Sequence, residues 1–360
     1  MLKVPDYVKE IKPYVPGKPI EELERQYGIR DSIKLASNEN PLGPSPVALQ
    51  EVQLLLSKVH RYPDGSGYYL KTALAEHLGV RAHNIILGNG SNELIDIAVR
   101  TFVGMGQECV MADVTFPIFF ISTKKNGGCP IIVPMEKMAH NLSAMADNIT
   151  DNTKIVFIAN PNNPTGTTVS AAEFDDFMEK VPEHVLVISD EAYFEYVMRA
   201  DYPDTLKYIR QGRNVLILRT FSKIYGLAGF RIGYGVSNQY VIELMGKIVE
   251  PFNTNMLAQA AACAALKDKE HIRKTIALNE EGKAYLYAEL EALHVDYIKT
   301  EGNFIYMDLK RDCHKVYEAL LQRGIIVRPM GATAIRVTIG KDDENKRFVH
   351  ELKEVLDRWI

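Results

Sequence analysis

Through its first two thirds the chain alternates short hydrophobic runs with longer amphipathic ones. The runs at 84–88, 108–112, 131–133, 154–159, 184–189, 214–219 and 232–236, several rich in Val and Ile, have the length and composition of strands. Between them, 92–103, 117–125 and 171–180 carry helical spacing. Alternation of this kind predicts an α/β fold on a mostly parallel central sheet, in which ligands gather at the carboxyl ends of the strands. From 255 to 293 the pattern turns helical, with a run of Ala, Leu and Glu suited to a long helix, and short strands are predicted at 304–308, 325–328 and 334–339. The expected division is a large α/β domain over residues 40–255 and a smaller α+β domain made of residues 1–39, a proline-rich arm, and 256–360.

At 360 residues the chain exceeds the size at which one core usually stops growing, which agrees with two unequal domains. Its 46% hydrophobic and 24% charged residues are ordinary for a soluble globular protein and exclude disorder as a main theme. A net charge of -4 with no long basic run argues against nucleic acid or an anionic membrane as partner, so any anion binding must be local. Cys109, Cys129, Cys263 and Cys313 lie far apart, without the close pairing that marks a zinc site or a redox pair; they read as thiols of a reducing compartment, and no metal is expected. The opening residues mix charge with proline, and no stretch of about eighteen apolar residues occurs, so a cytoplasmic location is expected.

The chemistry sits at the strand exits. After 154–159 comes Asn160-Pro161-Asn162-Asn163-Pro164-Thr165-Gly166, which must turn sharply; Asn-Pro alone reads first as a plain loop. After 184–189 comes Asp190-Glu191-Ala192-Tyr193. A carboxylate there requires a cation or a strong donor, although an N-cap for the next segment is the simpler reading. After 214–219 comes Thr220-Phe221-Ser222-Lys223, and Arg231 follows within a glycine-rich stretch. A lysine among small and apolar residues can be partly desolvated, which makes its amine a usable nucleophile toward a carbonyl, whereas Ser-Lys by itself is an ordinary solvated charge. Leu87-Gly88-Asn89-Gly90-Ser91-Asn92-Glu93 precedes an apolar helix and reads as a phosphate cradle. Glu93 stands where the third glycine of a dinucleotide fingerprint belongs, so no such cofactor is implied. A phosphate cradle, a nucleophilic amine, a buried carboxylate and an amide together match what pyridoxal phosphate requires.

The order NPNNPTG, DEAY and FSK, with an arginine eight residues on, resembles the fold-type-I aminotransferases over nearly the whole chain. The segments 34–46, 61–65, 300–304, 324–329 and 335–340 are similar to the histidinol-phosphate aminotransferase branch, which moves an amino group between glutamate and imidazole acetol phosphate. The resemblance implies that Lys223 carries the cofactor and acts as general acid and base, that Asp190 pairs with the pyridinium N–H, and that Asn163 and Tyr193 bond the ring oxygen. It implies further that Phe116 stacks on the ring, that Gly90, Ser91, Asn92, Ser222 and Arg231 hold the phosphate, and that Tyr62 reaches the phosphate of the other subunit in a homodimer with shared sites. For substrate it implies Arg336 as the anion grip, with Arg328, Tyr14 and Asn163 beside it, and an N-terminal segment that closes over the ligand. Three other functions remain open: an aromatic aminotransferase, a threonine-phosphate decarboxylase, and a regulatory protein built on such a domain. The last requires an added DNA-binding module for which the resemblance leaves no stretch.

Overall fold

The structure is a computed structural model that describes residues 2–357; Met1 and residues 358–360, the extreme ends of the expected smaller domain, lie outside the described residues. A short strand of the arm, β1 (Ile33–Lys34), is followed by the strands of the large sheet: β2 (Ile85–Gly88), β3 (Glu108–Ala112), β4 (Cys129–Val133), β5 (Thr153–Ala159), β6 (Leu186–Asp190), β7 (Val215–Thr220) and β8 (Gly233–Val236). The order across that sheet is β2-β8-β7-β6-β5-β3-β4, and β8 alone runs antiparallel to its neighbours. The fold is the mostly parallel α/β sheet that the alternation predicts.

Both faces of this sheet are covered, which is why its strands read as nearly continuous hydrophobic runs. In β5, Val156 and Ile158 join the core beneath the helices Tyr68–Leu78, Ala171–Lys180 and Met256–Ala265, while Ile155, Phe157 and Ala159 face the helices Ser91–Phe102, Pro117–Lys125 and Gln239–Gly246. The helix Ala171–Lys180 starts with a capping box, Ser170 Oγ accepting from the Glu173 N–H and Glu173 accepting from the Ser170 N–H.

The second sheet has the order β12-β13-β10-β9, from β9 (Asp296–Tyr297), β10 (Phe304–Asp308), β12 (Arg328–Met330) and β13 (Ala334–Thr338), all antiparallel; β11 (Ile325–Ile326) pairs with β1 in parallel. The run predicted as one strand at 325–328 is therefore divided between two sheets. The helices Lys269–Ala292, Cys313–Leu321 and Asp342–Asp357 bury Leu286, Leu290, Val316, Phe348 and Leu352 against this sheet.

Two observations refine the expected boundary at residue 255. The helical stretch is two helices, broken where Asp268 caps the second by accepting from the His271 N–H and is itself held by Ser45 Oγ at 2.6 Å. The first, Met256–Ala265, places Ala258, Ala261, Ala262 and Ala265 in the core of the large sheet. We propose that the two domains meet near Asp268, later than composition suggested, because alanine-rich spacing says that a helix packs closely but not against which layer.

Candidate active site

Register brings the strand exits side by side. Ala159 at the end of β5 pairs with Asp190 at the end of β6, and Asp190 with Leu218 of β7. Gly88 of β2 and Thr220 of β7 both pair with Gly233 of β8. These exits and the small sheet enclose one cavity, and every residue expected to bind cofactor or substrate except Tyr62 lines it. Tyr62 is 80% exposed and stacks on Phe252 with ring centroids 4.7 Å apart.

At one end is an anion cradle. Gly90, at φ 74, caps the helix Ser91–Phe102; a Cβ at Gly90 would lie 2.8 Å from Arg231 Nη2, and one at Gly233 would lie 2.7 Å from the Ser91 nitrogen. Two glycines thus let a helix N-terminus and a guanidinium converge. Arg231 Nη1 donates to the Ala228 carbonyl at 3.1 Å and reaches Ser222 Oγ at 3.5 Å, and Nη2 donates to the Asn89 carbonyl at 3.3 Å. Glu93 accepts from the Asn89 N–H at 2.7 Å and from Asn253 Nδ2 at 2.8 Å, so the residue that spoils the dinucleotide fingerprint braces the turn.

In the middle stand the amine and the carboxyl. Lys223 Nζ donates to the Ser37 carbonyl at 3.0 Å. The side chain opens partly onto the cavity, yet burial of the amine among protein groups lowers its pKa to about 7, with Arg336 acting in the same sense. Asp190 is 5% exposed and accepts from the Ala192 N–H at 3.2 Å; burial raises its pKa to about 7 against that hydrogen bond. The simpler reading, an N-cap, does not hold: Tyr193 is the N-cap of the short helix Phe194–Tyr196 and no side chain caps it, while Asp190 closes a tight turn onto Ala192 and fronts the cavity.

At the far end, Arg336 Nη1 donates to Asn163 Oδ1 at 2.5 Å and Nη2 to the Ala36 carbonyl at 2.6 Å, while Nε is buried without a partner among the described residues. Burial lowers the Arg336 pKa from its ordinary value, opposed by Tyr193 and Tyr14 and assisted by Arg328. The two asparagines of the NPNNPTG turn divide the work. Asn162 pins the turn through Val114, Thr165 and Thr115, and Asn163 faces the cavity. The Asn160-Pro161 and Asn163-Pro164 bonds are cis. Arg328 lies 5.5 Å from the Tyr14 ring centroid, and Phe116 meets Phe119 edge-on at 5.8 Å.

The Tyr193 hydroxyl joins this network through part of the segment 34–46, in which sequence reading singled out no individual site residue. Ala36, Ser37 and Asn38 line the cavity, and their three consecutive carbonyls accept from Arg336, Lys223 and Asn303. Asn38 Nδ2 donates to Tyr193 Oη at 2.8 Å. No periodicity marks such residues; their signal in the sequence is the resemblance carried by 34–46, and in the structure Asn38 sits at φ 54, a conformation this residue tolerates better than most.

With fold and cavity described, the class follows: the chain belongs to the family of aminotransferases of class I and II, whose profile matches residues 30–352. Within that class it is 50% identical over 359 residues to the histidinol-phosphate aminotransferase of Moorella thermoacetica, covering 98% of this chain and 93% of that one. It is 47% identical over 356 residues to histidinol-phosphate aminotransferase 1 of Nitrosococcus oceani, covering 98% and 96%. The crystal structure of histidinol-phosphate aminotransferase from Sinorhizobium meliloti in complex with pyridoxal-5'-phosphate superposes with a TM-score of 0.93 at 28% identity, covering 100% of this chain and 99% of that one.

Proposed function

We propose that this chain is a pyridoxal-phosphate-dependent aminotransferase that exchanges the amino group of histidinol phosphate with 2-oxoglutarate, a step of histidine synthesis. The observation that carries the reading is one cavity holding an anion cradle, a lysine of lowered pKa, a buried carboxyl and a buried arginine with an unpartnered N–H. The set fits the cofactor. The Gly90–Asn92 amides, Ser222 and Arg231 would hold its phosphate, Asp190 its ring nitrogen, Asn163 and Tyr193 its ring oxygen, and Phe116 its face. When bound, pyridoxal phosphate supplies an aldehyde that links to an amine and a cationic ring that takes up the electron pair released at the substrate α-carbon.

The residues supply the rest. A Lys223 amine titrating near 7 is substantially neutral at physiological pH, so it serves as nucleophile and then moves a proton at the α-carbon. Asp190 gains a stable charge when a cation enters beside it. Arg336, with Nε free and Arg328 and Tyr14 alongside, would bind the phosphate of one substrate and the carboxylate of the other through its planar fork. The arm carrying Tyr14 and Gly17 already forms a wall of the cavity, so its closure excludes water during proton transfer.

A homodimer belongs to the same proposal. Leu54, Leu56, Val59, Tyr62, Tyr68 and Tyr69 are exposed large apolar residues close together in sequence, which supports a covered face with Tyr62 serving the partner's phosphate. Among the described residues no helix is long and apolar enough to cross a membrane. We propose a cytoplasmic enzyme with small-molecule partners and no nucleic acid.

One observation favours a second reading, an aromatic amino acid as donor. Tyr14, Phe116 and Arg328 also border an apolar hollow lined by Phe120, Ile121 and Ile132. Specificity constants with 2-oxoglutarate as acceptor decide between them. Histidinol phosphate is expected to give the highest specificity constant of the three donors, ahead of phenylalanine and threonine phosphate. A preference for phenylalanine overturns the choice of substrate.

A further inference from the structure

We infer that Asn38 is a positioning residue that aims the hydroxyl proton of Tyr193 into the cavity, so that Tyr193 acts there as a donor. The Asn38 N–H donates to Thr338 Oγ1 at 2.9 Å, and the Thr338 hydroxyl in turn donates to Asn38 Oδ1 at 3.2 Å. This reciprocal pair assigns the carbonyl half of the carboxamide to Thr338 and turns the NH2 half toward Tyr193 Oη, 2.8 Å away. An amide NH2 donates and never accepts, so the Tyr193 oxygen is the acceptor of that bond and its single proton must point elsewhere. Asn38 is 1% exposed and Tyr193 4%, and both border the cavity, which is where the proton finds room. The carbonyls of Ala36, Ser37 and Asn38, held by Arg336, Lys223 and Asn303, fix the backbone from which the carboxamide projects. The relay runs from β13, which carries Thr338, to Tyr193 in the turn that follows β6, so the small sheet sets the polarity of a group at a strand exit of the large one.

The inference rests on the pyridoxal phosphate reading. A Tyr193 donor stabilises an ionised ring oxygen and so lowers the pH at which the coloured link between cofactor and Lys223 loses its proton. The other charged or titratable groups around Tyr193 are Lys223, whose Nζ is 5.7 Å from the ring centroid, together with Arg336, Asp190, Tyr14 and Tyr196. None of these changes in Asn38→Asp, which exchanges the NH2 for an oxygen of nearly the same shape and draws the Tyr193 proton to itself.

The test is a spectrophotometric pH titration of the cofactor-loaded protein without substrate. Asn38→Asp is expected to raise the midpoint by about one pH unit, a tenfold change in proton affinity, in the same direction as Tyr193→Phe. In a Tyr193→Phe background the same substitution is expected to add less than half of that shift, because its route is gone. A shift of half or more in that background is a through-space effect of the new charge and overturns the inference, as does no shift in the parent. Thr338→Val, which adds no charge and removes the hydroxyl that orients the carboxamide, is expected to raise the midpoint as well, with Thr338→Ser restoring it; an unchanged midpoint overturns the relay. Wild-type protein that takes up no pyridoxal phosphate sinks the functional reading and the inference together, whereas a coloured protein indifferent to Asn38 and Thr338 sinks the inference alone.

Discussion

Asp190 and Glu191 are consecutive carboxylates at the end of β6, and the protein treats them in opposite ways. Glu191, fully buried, accepts from Arg219 Nε at 3.0 Å and Nη2 at 2.8 Å, and also from Ser189 and Thr205, while Arg219 lies 3.4 Å over the Phe194 ring. Asp190 is nearly as buried but accepts from the Ala192 N–H and opens onto the cavity, and its pKa is raised to about 7. Successive side chains at a strand end point to opposite sides, so one residue completes an ion pair within the fold while its neighbour is offered to whatever enters the site. The comparison separates a carboxylate whose cation is built into the chain from one whose cation arrives with the ligand.

Breaking the internal pair gives the larger effect on folding. Arg219→Met leaves Glu191 charged and buried without its partner, and a loss of about 3–5 kcal/mol is expected in denaturant unfolding of the ligand-free protein. A loss below about 1 kcal/mol contradicts the contrast.

The smaller effect is a slope. An unfolded aspartate titrates near pH 3.9, and folded Asp190 near 7, so between these values the unfolded chain holds fewer protons. The contribution of Asp190 to stability is therefore full below about pH 4 and is lost as pH rises toward 7. Asp190→Asn removes this dependence, so in ligand-free protein its stability relative to wild type is expected to grow across that window by up to about 1.4 kcal/mol per pH unit. A relative stability that is flat or falls with pH places the carboxyl in a polar setting and erases the difference from Glu191.

The same pair illustrates what sequence makes legible. The strand exits were readable because a fully covered sheet forces apolar runs, and the expected ranges 108–112, 117–125, 171–180 and 304–308 are the observed elements. Asp190 stood out as a charge at the end of such a run. Glu191 and Arg219 did not, since their pairing spans 28 positions and depends on β6 lying beside β7, a neighbour relation that local pattern does not encode. Asn38 was visible only as one residue of the segment 34–46, and its role was hidden for a related reason. Its partners Tyr193, Asn303 and Thr338 lie 155 to 300 positions away, so a loop asparagine becomes a hub only after the two sheets have met. Tyr62 was visible through family resemblance alone, and its own chain offers it Phe252 and solvent.

The central claim is that the amine of Lys223 carries the cofactor in the cavity that Asp190 fronts. Borohydride reduction of the loaded protein, followed by peptide mass mapping, tests it most directly. The account predicts bleaching of the colour and a pyridoxyl phosphate label on Lys223. A label on any other lysine, or bleached protein with Lys223 unmodified, contradicts it.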